Sequence, residues 1–326
     1  TFRFYQQSGA TDQNLVIGPW DHAALLTNKA GDLVFPENAA KYYEGENDPS
    51  FGMLVHYFWP QHSEKPDWAP VTYYTIGDVF NPDSPGNEWR ESEMFPPEDS
   101  MPLILSSGSD LILKHGDCGE GEFVLDFDYA APFPSICGNN LTIKPGPCDV
   151  SEYRKRSDVL SFSTEPFVEP TEITGAIDLS VRFKTDVEDF DMAVILTDIY
   201  PDGKEYLMLE GTGKARFKEG LRKEVFIEKG EWTEMKYSPG YISIILDKGH
   251  KLGIHIATAY YPKYRIPSTV KDYWNNEPVK GSVTFDLSKT KIIVDTIGNW
   301  GGEVCEDIED QEESDDSEKM PGELAD

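Results

Sequence analysis

The sequence has no hydrophobic run that approaches the roughly 20 residues needed to cross a bilayer, so it carries no candidate transmembrane helix. It is also poor in basic residues: 29 Lys and Arg stand against 59 Asp and Glu, and the formal net charge is -30. A surface this acidic repels the phosphates of nucleic acids and anionic lipid headgroups. We therefore expect neither a nucleic-acid partner nor a membrane partner.

Cysteine is scarce as well, and the four cysteines form no CxxC pair. Zinc and dithiol redox motifs need such closely spaced pairs, so we expect no metal and no cofactor. Cys137 and Cys148 flank a loop rich in Gly, Asn and Pro. They can form a disulfide if the protein matures in an oxidising compartment, while four free thiols fit the sequence equally well. The compartment, cytoplasmic or secreted, stays open.

Other candidate metal ligands are poorly spaced. His56 and His62 lie six residues apart, which suits surface or half-buried positions. His250 and His255 differ by five, so on a strand they point to opposite faces. The acidic residues at positions 186, 188, 189 and 191 do not follow the Asp-x-Asp-x-Asp-Gly spacing of a calcium loop. We interpret these acids as part of a structural turn.

A short apolar run at residues 14–17 stops sharply at Gly18 and Pro19, which is typical of a buried strand in a parallel sheet. His22 follows on the loop beyond the carboxyl end of this strand. In open α/β sheets the chemistry lies at that end, although a single histidine is more often structural than catalytic. Further elements predicted in this part of the chain are a helix start at Pro36, a helix at 51–59 and a strand at 71–76.

From residue 102 onward, short strand candidates recur with turn signals between them and without long helical periodicity. The clearest alternation of apolar and polar residues lies at 177–183 and 252–257. This pattern predicts a mainly β fold, an antiparallel sandwich or jelly roll, with a domain boundary near residue 100. The predicted strands are 103–106, 111–114, 122–127, 159–163, 177–184, 192–200, 205–209, 241–246 and 251–257.

Residues 15–22 (LVIGPWDH) closely resemble the catalytic-histidine signature of the CocE/NonD hydrolases, the cocaine esterase and X-Pro dipeptidyl-peptidase family. Further matches follow in the order that the family has them. They are 87–90 (NEWR), 95–97 (FPP), 126–140, 156–162 (RSDVLSF), 172–175 (EITG), 189–191 (DFD), 197–203 (TDIYPDG), 249–252 (GHKL) and 261–264 (YPKY). The matches cover residues 1 to 265, and their shared order makes the resemblance far more specific than any single motif.

This resemblance implies a division of the chain. Residues 1–100 would be the carboxy-terminal part of an α/β-hydrolase domain, and residues 101–300 a jelly-roll β-sandwich of the galactose-binding-like type. Residues 301–326 hold twelve acids and one lysine, and we expect a solvated acidic tail there, with docking to a basic partner as the alternative.

The resemblance also implies that His22 is the catalytic histidine of a serine acyl hydrolase, an esterase, an amidase or an X-Pro dipeptidyl-peptidase. In α/β-hydrolases the chain order is Ser, then Asp or Glu, then His. No G-x-S-x-G is present, and Ser107-Gly108-Ser109 lacks the flanking glycines. Asp21 is too close to His22 in sequence to be the triad acid, and we expect it to be a loop residue. We expect Trp20 to pack next to the rim of the active site.

The resemblance therefore implies that an amino-terminal α/β-hydrolase portion supplies the serine and the acid, in the same protein or as a separate chain. This chain alone is then expected to be inactive, and the substrate of the whole is a small ester or amide, or a peptide. The alternative is a non-catalytic β-sandwich module that binds carbohydrate or protein. A homo-oligomer is left open.

Overall fold

The computed structural model describes residues 2–10, 13–21, 27–40, 56–59, 61, 69–139, 143–272, 274 and 279–306. His22 lies outside the described residues, as do His62, most of the predicted helix at 51–59 and most of the acidic segment at 301–326. The described part of the chain is mainly β, as predicted. None of its helices is long and apolar enough to cross a membrane.

The elements that the structure describes among the first hundred residues are short. They are helix α1 (Phe2–Gln7) and strands β1 (Leu15–Ile17), β2 (Lys29–Ala30), β3 (Leu33–Val34), β4 (Val71–Thr75) and β5 (Glu88–Ser92). β1 lies parallel to β4, which confirms the parallel strand predicted at 14–17, and β5 pairs antiparallel with the other edge of β4. Strands β2 and β3 form a separate hairpin. β4 is buried along its whole length, as expected for the central strand of this small sheet.

The remaining strands form the larger part of the molecule. They are β6 (Met101–Ser106), β7 (Lys114–His115), β8 (Glu122–Asp128), β9 (Cys137–Gly138), β10 (Lys144–Pro145), β11 (Val159–Ser163), β12 (Thr171–Thr185), β13 (Asp191–Ile199), β14 (Glu205–Lys214), β15 (Thr233–Leu246), β16 (Lys251–Ala257) and β17 (Lys280–Ile297). One sheet has the order β11-β16-β13-β14, and the other has the order β15-β12-β17-β6-β7, with β8 pairing the first half of β17.

These two sheets face each other across one hydrophobic core. Alternate residues of β12, such as Ile177, Leu179 and Val181, point inward and meet Val194 and Ile254 of the opposite sheet. Removing such side chains from water is the main stabilising contribution to a sandwich of this size. The antiparallel sandwich is therefore as predicted, while its jelly-roll connectivity and the domain boundary near residue 100 stay predictions.

The small sheet is joined to the sandwich through the end of β4. Ile76 donates from its backbone N–H to the carbonyl of Ser243 (3.0 Å), and its own carbonyl accepts from the N–H of Ile245 (2.7 Å). Arg90 of β5 forms an ion pair with Glu172 of β12 at 2.7 Å. The small sheet is therefore bonded directly to β15 and β12 of the sandwich.

Two local predictions were wrong. The strand predicted at 111–114 is reduced to β7, because Leu111 has φ 60 and a left-handed residue breaks the extended run. The backbone N–H of Leu111 donates to the carbonyl of Gly108 at 3.0 Å, and this hydrogen bond closes a turn. The helix start at Pro36 is only a single 3₁₀ turn, Glu37–Ala39.

All four cysteines are bridged. Cys137 pairs with Cys148, as the sequence allowed, and Cys118 pairs with Cys305 across 187 residues of chain. The second bridge fixes the start of the segment at 301–326, because the backbone of Cys305 also donates to the carbonyl of His115 at 2.7 Å.

Candidate functional site

A cavity of about 250 Å³ lies where the small sheet meets the sandwich. Its first wall is the end of β1, Ile17, followed by residues 18–21, which we call the strand-end segment. β1 and β4 are parallel, so their carboxyl ends lie at the same edge of the sheet, and Tyr74 and Ile76 also line the cavity. This edge is where open α/β sheets place their chemistry.

Trp20 fixes the course of the strand-end segment. Its indole Nε1 donates a 2.6 Å hydrogen bond to the carbonyl of Ala39, and its ring lies 5.6 Å from the ring of Trp89. A Cβ on Gly18 would lie 2.5 Å from the indole of Trp20, so only glycine lets the ring fold back this closely. Trp20 therefore packs beside the cavity.

The second wall comes from the sandwich. Strand β14 contributes Leu207 and Leu209, and β15 contributes Tyr241 and Ser243. These residues are carried by two neighbouring strand edges that belong to different sheets, so both sheets must be formed before the wall exists. The cavity lining is mainly apolar with a few polar groups, which is the usual composition of a small-molecule site.

The third wall is a short bridged segment, which we define as residues 137–139 and 143–148. Gly138, Asn139, Gly146 and Pro147 of this segment line the cavity. The Cys137–Cys148 disulfide closes it, and both cysteines are buried.

A buried carboxylate lies where the sandwich wall meets the bridged segment. The Glu210 side chain is 4% exposed, and its Oε1 accepts from the backbone N–H of Asn139 (2.8 Å) and pairs with the ammonium of Lys263. A Cβ on Gly138 would lie 2.2 Å from that oxygen, so glycine is required at this contact. Glu210 thus attaches the bridged segment to β14.

Tyr74 contributes a neutral hydroxyl to the first wall. Burial, reinforced by the nearby carboxylate of Glu88, raises the pKa of Tyr74 well above its usual value. The hydroxyl donates to Oδ1 of Asn38 at 3.2 Å. The hydroxyl therefore keeps its proton at physiological pH, and that proton is used in the hydrogen bond to Asn38.

The predicted site residues are distributed as follows. The position of His22 lies outside the described residues, and its catalytic role stays a prediction. Asp21, the residue before it, lies outside the strands as expected, lines the cavity and is 9% exposed. A Cβ on Gly146 would lie 2.9 Å from Oδ2 of Asp21, so the strand-end segment and the bridged segment are in direct contact.

His250 and His255 have separate partners. His255 contacts Oε1 of Glu205 at 2.8 Å, deep in the sheet. His250 contacts Asp198 at 2.8 Å and Asp78 at 3.6 Å. Burial alone would lower the pKa of His250, but the ion pairs with these two aspartates outweigh it and raise the pKa above its usual value. Neither histidine faces the cavity.

The acidic residues at 186–191 are also separated. Asp189 forms a buried ion pair with Arg216 at 2.6 Å, and Asp191 pairs with Lys214 at 2.7 Å. Burial raises the pKa of Asp191 to about 6 even with that lysine beside it. Among the described residues, no group of three or more His, Cys, Asp or Glu side chains is arranged to hold a metal ion.

Sequence reasoning did not find most of the cavity lining. Residues such as Leu207, Glu210 and Ser243 are ordinary strand residues, and they lie roughly 190 to 220 positions after the strand-end segment. Only the glycines at 138 and 146, both with positive φ, were a local signal of close backbone approach.

Comparison with known proteins identifies relatives of this chain. Residues 69–291 match the family described as the X-Pro dipeptidyl-peptidase C-terminal non-catalytic domain. Cocaine esterase of Rhodococcus sp. (strain MB1 Bresler) is 25% identical over 265 residues, which make up 78% of this chain and 45% of the esterase.

Two solved structures share the fold. An aminopeptidase from the marine sediment archaeon Thaumarchaeota archaeon has a TM-score of 0.77 and 19% identity, covering 90% of this chain and 51% of its own. A selenomethionine-labelled α-amino acid ester hydrolase has a TM-score of 0.70 and 21% identity, covering 87% and 50%. The chain therefore spans about half the length of these relatives.

Proposed function

This chain belongs to the family of X-Pro dipeptidyl-peptidase C-terminal domains of the CocE/NonD hydrolases, and from this we propose that it is the carboxy-terminal portion of a serine acyl hydrolase. In this proposal His22 is the general base. The serine and the triad acid come from an amino-terminal α/β-hydrolase portion, in the same protein or as a separate chain.

One observation carries the proposal: the cavity lies at the carboxyl end of β1, and Asp21, which lines it, immediately precedes His22 in the chain. A base at the carboxyl edge of a parallel sheet is in the position where α/β-hydrolases attack their substrates.

The chemistry follows from the properties of imidazole. A serine hydroxyl is a weak nucleophile until a base removes its proton, and histidine titrates near neutral pH. His22 would accept the serine proton as the hydroxyl oxygen attacks the acyl carbon, and would then donate that proton to the departing alcohol or amine. Water attacks the acyl-serine in the second half-reaction with the same base. Each step is a proton or acyl transfer, and none requires a metal or an organic cofactor.

The sandwich would shape the substrate pocket. Leu207 and Leu209 of β14 and Tyr241 of β15 face the strand-end segment across the cavity and offer apolar surface to an acyl or leaving group. A substrate that buries a small apolar group here gains roughly 25 cal/mol per Å² of apolar area removed from water. The substrate class proposed is therefore an ester or amide with a small apolar group beside the scissile bond.

The relatives support the ester or amide class. One is named an esterase, one an ester hydrolase and one an aminopeptidase, and all three names describe acyl transfer to water. An X-Pro dipeptidyl-peptidase activity for the complete protein stays within the proposal.

A second candidate function is a binding module without catalytic residues of its own. The family description, which calls the matched domain non-catalytic, favours it, and so does the lack of a G-x-S-x-G in this sequence. In that case the sandwich would bind carbohydrate or protein.

A fluorophosphonate probe separates the two functions, because an activated serine displaces its fluoride and becomes covalently labelled. We expect no labelling of this chain alone and strong labelling of the amino-terminal portion when both are present. The matched control is the complete protein with His22→Ala, in which labelling should be lost. Glycan or protein binding together with no labelling of the complete protein would support the binding module and contradict the hydrolase.

A further inference from the structure

Residues 303–305, which we call the strap, cover an open strand edge. β7 is the last strand of its sheet, and an uncovered edge strand exposes unpaired backbone N–H and C=O groups. The N–H of His115 donates to the carbonyl of Glu303 at 2.8 Å, and the N–H of Cys305 donates to the carbonyl of His115 at 2.7 Å. The strap therefore pairs parallel with β7 as a short additional strand.

The side chains of the strap contribute little to its attachment. The ion pair between Lys114 and Glu303, at 3.1 Å, joins side chains that are 36% and 48% exposed, and water screens such a pair strongly. Val304 is 59% exposed, so it removes little apolar surface from water. The covalent bond from Cys305 to Cys118 is therefore the strongest link between the strap and the sheet in the part of the chain that the structure describes.

The chain immediately before the strap has its own anchors on the sandwich. The N–H of Gly301 donates to Oγ1 of Thr171 at 3.0 Å, and its carbonyl accepts from the N–H of Val168 at 3.1 Å. The indole Nε1 of Trp300 donates to the carbonyl of Glu303 at 3.2 Å, within the same terminal segment. A release of the strap would thus extend back no further than Gly301 and would leave the sandwich intact.

The two disulfides differ in their accessibility. Cys118 and Cys305 are both half-buried, whereas Cys137 is 0% exposed and Cys148 is 4% exposed, within an apolar cluster. Reduction of a disulfide requires a thiolate to reach one of its two sulfur atoms. A reductant can therefore approach the Cys118–Cys305 bridge in the folded protein, whereas the other bridge must first be uncovered by local unfolding.

We propose that Cys118–Cys305 is a redox-sensitive link: a dithiol reductant opens it in the folded protein, and the strap then leaves β7, while Cys137–Cys148 stays closed. A thiolate of the dithiol attacks one sulfur of the bridge, the S–S bond breaks, and the other cysteine leaves as a thiolate that takes up a proton. The second thiol of the reductant displaces the remaining cysteine from the mixed disulfide. Two electrons thus reduce the bridge, and the dithiol becomes a cyclic disulfide.

Opening the link would change the surface of the sheet. The N–H and the carbonyl of His115 would lose their partners on the strap, and the edge of β7 could then accept another strand. This inference uses neither the cavity nor the proposed catalytic residues, so it is independent of the hydrolase proposal.

The first test compares the rates at which the two bridges open. The oxidised chain is incubated with dithiothreitol under native conditions, quenched with iodoacetamide at intervals and mapped by peptide mass spectrometry. We expect alkylation at Cys118 and Cys305 to be at least about tenfold faster than at Cys137 and Cys148. Equal rates, or faster opening of the buried bridge, would contradict the proposal. So would the same difference in chain unfolded by guanidinium chloride, because the fold would then not be its cause.

The second test asks whether the strap leaves β7 once the bridge is open. Hydrogen exchange resolved to single amides is measured before and after selective reduction. We expect the protection of the His115 and Cys305 amides to fall roughly 100-fold. Gly116 is the matched control, since its N–H donates to the carbonyl of Ile104 on β6 at 2.9 Å and not to the strap. Full protection at His115 after opening, or an equal loss at Gly116, would overturn the release of the strap.

Variants separate the effect of the bridge from that of the reductant. Cys118→Ser with Cys305→Ser should show the exchange pattern of the reduced chain without any reductant, and a lower melting temperature, because a link across 187 residues is lost. Cys137→Ser with Cys148→Ser is the control and should keep the His115 amide protected. Wild-type protection at His115 in the first variant would contradict the proposal. If either variant does not fold, the reduction of the wild type decides the question alone.

Discussion

The indole Nε1 of Trp20 donates its 2.6 Å hydrogen bond to the carbonyl of Ala39, while Nε1 of Trp89 donates at 2.8 Å to the carbonyl of the preceding residue, Asn38. The two indoles thus donate hydrogen bonds to adjacent carbonyls of one short 3₁₀ turn. Only Trp20 lines the cavity, so the pair provides a matched comparison between a site contact and an ordinary packing contact.

Trp20→Phe should lower both stability and activity. The loss of one hydrogen bond costs about 1 kcal/mol of unfolding free energy, and the freed strand-end segment should lower kcat/KM in the complete protein. Trp89→Phe should cost a similar free energy and leave kcat/KM near the wild-type value. Urea unfolding and ester hydrolysis measure the two effects, and equal losses of activity in both variants would contradict a special role of Trp20.

The stability that His250 contributes should depend on pH. This buried histidine contacts Asp198 of the sandwich and Asp78, which follows the small sheet. The pKa of His250 is raised in the folded state above its ordinary value of 6.5, with Asp198, Asp78 and Asp247 facing it. Its stabilising contribution is therefore complete below pH 6.5 and is lost as the pH rises through the folded pKa.

We expect the melting temperature of the wild type, minus that of His250→Gln, to decrease as the pH is raised from 6 to above 8. Differential scanning calorimetry at constant ionic strength measures it. A difference that does not change with pH would mean that the His250 charge contributes nothing.

Asp191 should produce a trend of the same sign at lower pH, with the stability of the wild type relative to the variant falling as the pH rises. Its folded pKa of about 6 lies above the ordinary value of 3.8, so the folded state binds more protons between these values and stability falls as the pH rises through them. In Asp191→Asn this fall is absent, and the variant should gain stability relative to wild type from pH 4 to pH 7. Asp202→Asn, on an exposed turn, serves as the matched control for the removal of one carboxylate charge. A flat difference for Asp191→Asn would contradict the prediction.

The buried ion pair between Asp189 and Arg216 should be the most sensitive charged contact of the sandwich. Both side chains are 2% exposed, and Asp189→Asn would remove the buried carboxylate from the Arg216 guanidinium, which keeps its longer contact with the half-exposed Glu224 at 3.4 Å. We expect a loss of about 3 to 5 kcal/mol in unfolding free energy. Glu219→Gln breaks an exposed pair with Lys223 and should have no measurable effect in the same urea titration. Similar effects of the two substitutions would show that burial of the pair does not matter.

Much of the fold was predictable, because local alternation carries it. The strands predicted at 159–163 and 251–257 coincide with β11 and β16. Each of them packs one face against the core in a regular pattern of period two. The parallel strand β1 was predictable for a different reason, since a short apolar run ends at Gly18.

The long strand β17 was not predicted, and its burial pattern explains why. Val283, Phe285 and Leu287 point inward, but after an irregular stretch the inward residues are Thr290, Ile292 and Val294, so the alternation changes phase. Its pairing with β12 shifts register between Ser180 and Arg182, where β17 carries extra residues. A period-two pattern cannot be recognised across such a bulge.

The candidate site was predictable only on one side. The motif at residues 15–22 identified the strand-end segment, because its chemistry requires a compact local sequence. The facing residues, Leu209 and Glu210 among them, are selected by tertiary packing and have no sequence signature. The Cys118–Cys305 bridge was also not predicted, since no local spacing connects cysteines 187 residues apart.

The most direct test of the account is the turnover number of the complete hydrolase with His22→Ala, measured on a chromogenic ester beside His115→Ala, a sandwich histidine outside the cavity. The account predicts that kcat falls roughly 10,000-fold or more in the first variant, with an unchanged melting temperature, and stays at the wild-type value in the second. Wild-type turnover by the folded His22 variant would contradict it.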